Sequence, residues 1–471
     1  MPGEQLHSRY NPQAEAVRYI DSLNLKNGIE CFILIEPGLG YIVPVLREKF
    51  KNSKIIALHA ESGFPPMPEG VPALNGANET SVQDFLEREV PEIDASMIRV
   101  IEWRPSLDFY KEAYVNLLSQ TVEFIKRLDA GKRTSSVFGR RWVKNFFRNL
   151  GSVEKVLLYR ETQSPVIITG SGPSLEKAIP VIRRMADYSL IIAASSSLMA
   201  LFHGGISADI VIATDGGPWA LRHIYPFFRN KSQTRESAIA ANLCAALPSQ
   251  CANIPRLILN DGSFWQSAVL RGLSLPSVII PQRGTVTASA VELALLLTRG
   301  NIYLAGTDLS VGGIRSHARP YAFDHLLEDC ACRLAPVYSK TFIRSNMIKE
   351  GGGLKIYAAW FKNQLASWPK RIFSLGAGHD IFESPPCMEN SIKKNTNEVF
   401  KAASVNAEPS GFAQTGAACL LEAMRDSRYA KNINAELSPL LFQGRKEARE
   451  SEIESAIKEI ITGVSNGQAR L

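Results

Sequence analysis

The sequence has no apolar run of membrane-spanning length. Its seven cysteines, Cys31, Cys244, Cys251, Cys330, Cys332, Cys387 and Cys419, are odd in number, scattered, and form no CxxC pair. That spacing excludes a disulfide framework and a zinc module. There is no Walker A run and no GxSxG elbow, which removes the P-loop nucleotidases and the α/β-hydrolases. No lysine or arginine block alternates with aromatics, and a net charge of +7 over 471 residues is too diffuse to argue for nucleic acid. The densest basic cluster, Lys132 to Arg148, reads most simply as a solvated helix face. The first residues, MPGEQLHSRYNPQ, are polar and unlike a signal peptide, so a cytoplasmic, reduced protein is expected.

What is present is strand alternating with helix. The stretch VIITGSGPSL, Val166 to Leu175, organises the rest. Val166, Ile167 and Ile168 are consecutive β-branched residues, as in a strand buried on both faces of a parallel sheet. Gly170 and Gly172 permit a tight turn, and Pro173 suits the first helical position. Strand, glycine turn and helix start form an anion site, with N–H groups and the helix dipole facing a phosphate. The same pattern also serves a bare strand-to-helix corner. Pro180 is expected to kink or restart the helix that follows.

The length calls for two or three cores. An N-terminal α/β domain is expected over residues 1–130, a central domain over 131–370, and a mostly helical region over 371–471. In the first, Cys31 to Ile35 is a strand, Glu36 to Tyr41 a second glycine turn and Lys54 to His59 the next strand. Glu61 stands where a nucleotide fold places its ribose-binding acid, but the third glycine of that motif is missing. Helices are expected over Phe109 to Leu128 and Thr134 to Leu150, the latter bridging the domains. In the central part, strands are expected at Ser189 to Ala194, Ile210 to Ala213, Ser237 to Ala241, Arg256 to Asn260, Ser277 to Ile280 and Asn301 to Ala305. This is a doubly wound, Rossmann-like pattern. Small polar residues collect where its strands end, at Ser171, Ser195, Asp215 and Asp308, and ligands of such sheets bind at that edge. The polar stretch Ser310 to Tyr338 follows the last of these strands and holds Arg315, His317, Arg319, Tyr321 and His325.

Taken in order, GSGPSL at Gly170, GISADIVIATD from Gly205, TVTASAVELALLLTRGNIYLAGTDLS from Thr285, GGIRSHA from Gly312 and YAAWFKNQL from Tyr357 resemble the motility-associated factor family of bacterial flagellin glycosyltransferases. The central part is also similar to bacterial sialyltransferases, which carry GNGPSL and a GT…GxD pattern. The resemblance implies a sialyltransferase-like variant of the GT-A fold. It also implies a CMP-activated nonulosonic acid of the pseudaminic or legionaminic type as donor, and a flagellin Ser or Thr hydroxyl as acceptor. Where the sialyltransferases have asparagine, this chain has Ser171, and Ala194 or Ser195 after the next strand. Serine still offers a donor and an acceptor.

On this reading the donor is held by Gly170, Ser171, Gly172, Pro173, Ser174, Ser195, Asp215, Gly284, Thr285, Gly306 and Arg315. Asp308 and His317 serve the reacting centre. The leaving phosphate takes N–H groups of the turn from Gly172 to Leu175 and the charge of Arg315 or Arg319. His317 is the expected base, because an imidazole titrates near neutrality. No cofactor is required and no metal ligand set is assigned, although Asp215 or Asp308 could meet Mg²⁺. Either aspartate could equally cap the element after its strand. Two other classes stay open: a 6-hydroxymethylpterin pyrophosphokinase-like enzyme using ATP and Mg²⁺, and a non-catalytic flagellin-binding protein.

Overall fold

A computed structural model describes residues 6–468, apart from 64–65, 78, 91–94, 230–236, 282–283, 312, 351–352, 366–367, 377–380, 386–392, 406–408 and 446. The chain divides into two compact units, Met1–Thr134 and Ser135–Leu471. The division falls inside one helix, Glu112–Leu150, where two separate helices were expected. Gly131 does not end it. An interior glycine costs a helix about 1 kcal/mol relative to alanine, too little to end a long helix by itself.

The first unit is a four-stranded parallel sheet of β1 (Cys31–Ile35), β2 (Lys54–Leu58), β3 (Ala73–Leu74) and β4 (Ile98–Glu102), in the order β3-β2-β1-β4. All five residues of β1 are buried. Phe32 and Leu34 enter the core on one face, and Cys31, Ile33 and Ile35 enter the core on the other. That two-sided burial is why β1 reads as an unbroken apolar run rather than an alternation.

The second unit carries a ten-stranded sheet. Its strands are β5 (Lys155–Tyr159), β6 (Val166–Thr169), β7 (Leu190–Ala194), β8 (Ile210–Ala213), β9 (Ala238–Asn242), β10 (Arg256–Asn260), β11 (Val278–Ile279), β12 (Ile302–Ala305), β13 (Ile372–Ser374) and β14 (Phe400–Ser404). The order is β13-β12-β6-β7-β8-β9-β10-β5-β14, with β11 beside the end of β10. Every pair is parallel except β14 with β5. From β6 the chain winds outward through β7, β8, β9 and β10, then returns to lay β12 on the other side of β6. The strand order therefore reverses between β6 and β12, and a crevice at the carboxyl ends of these two strands is where an open α/β sheet takes its ligand.

The expected third domain does not separate from the second. β13 and β14 belong to the large sheet. Helices Pro409–Arg425, Ala430–Leu441 and Glu450–Gln468 share one core with Phe146, Phe147 and Leu150 of the long helix and with Trp265 and Val269 of Phe264–Gly272. The approach is close. A Cβ on Gly416 would lie 2.6 Å from a Leu150 methyl, and one on Gly272 would lie 2.7 Å from the Cys419 side chain. A charged, helical sequence gave the impression of an independent region, but its apolar faces have no core other than this shared one.

One buried charge holds the end of the long helix. Arg256, on β10 and 1% exposed, donates through Nη1 to the Asn149 carbonyl at 3.0 Å and through Nη2 to the Cys251 carbonyl at 3.2 Å. The positive group thus sits at a helix C-terminus, where the dipole favours it. Arg256→Met removes both bonds, while the Asn149 carbonyl keeps the Ser152 N–H and hydroxyl and the Cys251 carbonyl keeps the Ile254 N–H. We expect it to cost about 2–3 kcal/mol, from the usual worth of hydrogen bonds to a charged donor, read as a lower urea midpoint with an unchanged slope.

Candidate functional site

The loops after β6 and β12 meet at the switch point and interlock through their backbones. Gly170 N–H donates to the Ala305 carbonyl at 2.8 Å, and Gly172 N–H to the Gly306 carbonyl at 2.8 Å. A Cβ on Gly170 would lie 2.5 Å from the Gly306 oxygen, and one on Gly306 would lie 2.5 Å from the Gly170 oxygen. Gly306 also has a φ of +69°, which only glycine adopts without strain. These glycines are required, in the first place, by each other.

Asp308 closes the arrangement. Its Oδ2 accepts the Ser174 N–H at 2.8 Å and so caps the helix Leu175–Met185 from outside the helix's own segment. Ser174 stands at the cap position, and its own hydroxyl caps nothing. The helix runs through Pro180 as one element. The remaining N–H groups of the turn are engaged as well: Leu175 donates to the Gly172 carbonyl and Glu176 to the Pro173 carbonyl. The expectation that the turn from Gly172 to Leu175 offers its N–H groups to a phosphate is therefore not met. A carboxylate of the same chain already occupies that pole of the helix dipole.

Three polar atoms at this junction are left over. Ser174 Oγ, Thr307 Oγ1 and Asp308 Oδ1 are buried and have no hydrogen-bond partner. Their residues are 7%, 6% and 9% exposed. An orphaned buried polar atom ordinarily costs about 1–3 kcal/mol, and three beside one another at a sheet's ligand edge call for a partner from outside the chain.

The second helix at the crevice is Val286–Leu297. Thr285 caps it, its hydroxyl accepting the Ala288 N–H at 3.1 Å. Gly284 precedes it with a φ of +78°, and a Cβ there would lie 3.2 Å from the Tyr357 ring. Thr287 of its first turn lies against Gly170, with Oγ1 3.4 Å from the position of a Cβ there. Ser195 is buried at the end of β7, and the neighbouring Ser197 bonds the Thr169 hydroxyl at 2.8 Å, tying β7 to β6. Asp215, after β8, is exposed and accepts the Gly217 N–H at 2.7 Å in a local turn. Asp215 and Asp308 thus have separate local tasks. Among the described residues no group of three or more His, Cys, Asp or Glu side chains could hold a metal ion.

The polar stretch after β12 folds back onto this junction. Ala318 N–H donates to the Ser171 carbonyl at 2.8 Å, and Arg319 N–H to Glu176 Oε1 at 2.9 Å. Arg315 pairs with Glu176 at 3.1 Å and is half exposed. Arg319 stands 3.9 Å from Asp324. His325 is exposed and faces Glu328. Within the stretch, Asp324–Asp329 is a helix rather than loop.

His317 lies in a shallow cleft floored by Tyr321, on which its ring is stacked at 4.0 Å with a 12° interplanar angle. Ser316 Oγ is 2.8 Å from its Nδ1. Burial, then the charge of Arg344 and then His223, hold this imidazole down to about 3. It is neutral at physiological pH but does not titrate there as expected of a free histidine, because its surroundings disfavour the cation. His223, from Leu221–Arg229, lies 5.4 Å from Tyr321 and 5.0 Å from Phe323 and is held down to about 4, mainly by burial. Tyr321, buried between them, is pushed up to about 12.

Sequence reading missed His223 and Arg344. Arg344 belongs to the helix Val337–Glu350, whose polarity is inverted: Thr341 and Ser345 are buried, while Phe342, Ile343 and Met347 are exposed. Buried small polar residues at helical spacing were the available signal.

The first unit has its own strand-edge turn. There Leu39 N–H donates to His7 Nε2 at 2.9 Å, and the His7 ring packs against Tyr41 and Trp103. Glu36 and His59 pair at 3.0 Å, fully buried, while Glu61 is exposed. The expected ribose acid thus lies in solvent, and an imidazole of the same chain fills the glycine turn.

The fold and site define a doubly wound α/β protein whose strand order reverses between β6 and β12. Residues 140–313 match the family model described as 6-hydroxymethylpterin diphosphokinase MptE-like. The chain is 29% identical over 288 residues to an uncharacterized protein of Treponema pallidum (strain Nichols), a match spanning 60% of each chain. A second uncharacterized protein of that organism is 30% identical over 116 residues, 24% of this chain and 54% of that one. Among solved structures, the chain is similar to the Maf glycosyltransferase from Magnetospirillum magneticum AMB-1, with 13% identity, a TM-score of 0.49, and coverage of 99% of this chain and 80% of that one. No helix among the described residues is long and apolar enough to cross a membrane.

Proposed function

We propose that this protein is a glycosyltransferase that moves a nonulosonic acid of the pseudaminic or legionaminic type from a CMP-activated donor to a Ser or Thr hydroxyl of flagellin, in the cytoplasm. The observation that carries the reading is the trio of buried, unpartnered polar atoms, Ser174 Oγ, Thr307 Oγ1 and Asp308 Oδ1, at the sheet's reversal point. Around them stand the motifs that resemble the family, GSGPSL, GTDLS and SHA.

In this reading the donor's nucleotide satisfies the trio, with Asp308 accepting from a ribose hydroxyl. Gly170, Gly172 and Gly306 contribute by letting the two loops close on one another. Loss of the phosphate gives the anomeric carbon oxocarbenium character, and the developing negative charge on the leaving group is met by the arginines of the cleft. His317 receives the proton of the attacking hydroxyl. It is neutral and so free to accept, and an anion arriving beside it raises its basicity by cancelling nearby positive charge.

The test is a thermal-shift screen of the full chain with CMP, CDP, ATP, UDP and GDP, each with and without Mg²⁺. A ligand at a hundred times its Kd stabilises the folded state by about 2.7 kcal/mol. CMP or CDP should raise the melting temperature. A response to ATP with Mg²⁺ alone would replace the reading with diphosphate transfer. No response, together with co-purification of flagellin, would replace it with a binding protein.

A further inference from the structure

The cleft of His317 contains three arginines, and they are not equivalent. Arg315 is neutralised by Glu176, and Arg319 faces Asp324. Asp324 is itself engaged, accepting the Tyr321 N–H at 2.8 Å. Among the described residues Arg344 has no carboxylate partner, and it donates a hydrogen bond to the Tyr321 hydroxyl. Its guanidinium carbon lies 5.8 Å from the centre of the Tyr321 ring and 5.7 Å from that of Phe323, and its other electrostatic neighbours are His317 and His223. Counting Arg315, Arg319 and Arg344 against Glu176 and Asp324 leaves the cleft one positive charge in excess.

The surroundings direct that charge outward. The two rings attract the guanidinium electrostatically, and one of its N–H groups donates to the Tyr321 hydroxyl, which leaves the other donors of the fork for a ligand. Buried Thr341 and Ser345 on either side of it fix the helix against the cleft, and Ser345 Oγ donates to the Gly313 carbonyl at 3.2 Å. A guanidinium that lines a cleft without a carboxylate partner is suited to a planar or tetrahedral oxyanion, which it can grip with two parallel N–H bonds. From this geometry we infer that Arg344 is the anion-recognition residue of the cleft and binds an oxyanion of the substrate beside His317.

The inference rests on the proposed glycosyl transfer for the identity of that oxyanion. Two sources have the same chemistry: the phosphate of the nucleotide and the carboxylate of the sugar acid. An anion in this position also cancels the Arg344 charge, which after burial is the next cause holding His317 low, so that binding eases protonation of this imidazole.

The experiment compares wild type with Arg344→Met and Arg344→Lys, all as the full chain, with circular dichroism to check folding. Arg299→Met is the control, an exposed cation outside the cleft that is already paired with Glu161. The probes are inorganic phosphate, acetate, CMP, cytidine and N-acetylneuraminate, titrated by calorimetry. Phosphate or acetate should bind wild type, and Arg344→Met should weaken that binding at least tenfold, with Arg299→Met changing it less than threefold. Partial recovery in Arg344→Lys is expected, because a lysine keeps the charge without the fork. A tenfold loss for CMP with none for N-acetylneuraminate assigns the phosphate, and the reverse assigns the carboxylate. If CMP and cytidine fail on wild type but phosphate still depends on Arg344, the glycosyltransferase reading falls and the anion site stands. Anion binding that is absent in wild type, or that is equal in a folded Arg344→Met protein, overturns the site itself.

Discussion

Gly172→Ala is expected to abolish nucleotide binding and lower the melting temperature, although it adds a single methyl group. The new Cβ would stand 2.4 Å from Asp308 Oδ2 and 2.7 Å from the Gly306 oxygen. Neither atom has room to move. The Gly306 carbonyl is held by the Gly172 N–H and belongs to a backbone that already has a left-handed φ. Asp308 Oδ2 is held by Ser174 N–H. Relief requires the β6 and β12 loops to part, which breaks the helix cap and spreads the three unpartnered polar atoms. Overpacking of this kind costs about 1–3 kcal/mol, and here the displaced parts are the site itself. We expect at least a hundredfold loss of CMP affinity, measured by calorimetry, with a melting temperature several degrees lower. Gly463→Ala is the contrast, since nothing lies within 4 Å of a Cβ there and the residue is inside the helix Glu450–Gln468. It should stabilise by up to about 1 kcal/mol through helix propensity and leave binding unchanged. A Gly172→Ala protein that binds and melts like wild type would show that the loops are not interlocked.

That contrast also marks where the sequence was informative. The doubly wound sheet was legible because strands buried on both faces must be continuous apolar runs, and β6, β7, β8, β9, β10 and β12 all carry them. β5 and β14 were not legible. They form the outer end of the sheet, β14 has exposed and half-buried residues, and they pair across more than two hundred positions of sequence. Two strands at an edge have weak patterning of their own, and their pairing is fixed by tertiary context.

In the site, the glycines were legible as turns, but the reason for them was not. Close approach by a ligand and close approach by another loop leave the same residue in the sequence. Asp308 was legible as either a cap or a ligand group, and the structure gives one oxygen to the cap while the other has no partner. The aromatic cluster was hidden for a simpler reason: His223, His317, Tyr321 and Arg344 come from two helices and a loop, and no local spacing connects them.

The same cluster makes the second unit sensitive to acid, in a direction set by its two histidines. Burial is the chief cause that lowers both, His317 to about 3 and His223 to about 4. Arg344 disfavours both cations, His223 disfavours that of His317, and Asp215 partly favours that of His223. In the unfolded chain each imidazole titrates near 6.5. Above that pH both states are neutral and stability is fully present. As the pH falls below 6.5 the unfolded chain takes up protons that the folded one refuses, so stability is lost progressively toward the folded values near 4 and 3. The limiting slope is about 1.4 kcal/mol per pH unit for each imidazole. The expected result is a melting temperature that falls steeply between pH 6.5 and 4.5, more steeply than in His223→Gln or His317→Gln, and least steeply in the double variant. Glutamine has no proton to gain in that range, so its effect on the slope is separate from any effect on packing, which shifts the curve at every pH. Equal slopes in wild type and the double variant would mean that both imidazoles titrate as free histidines do, and the stacked arrangement on Tyr321 would have to be abandoned.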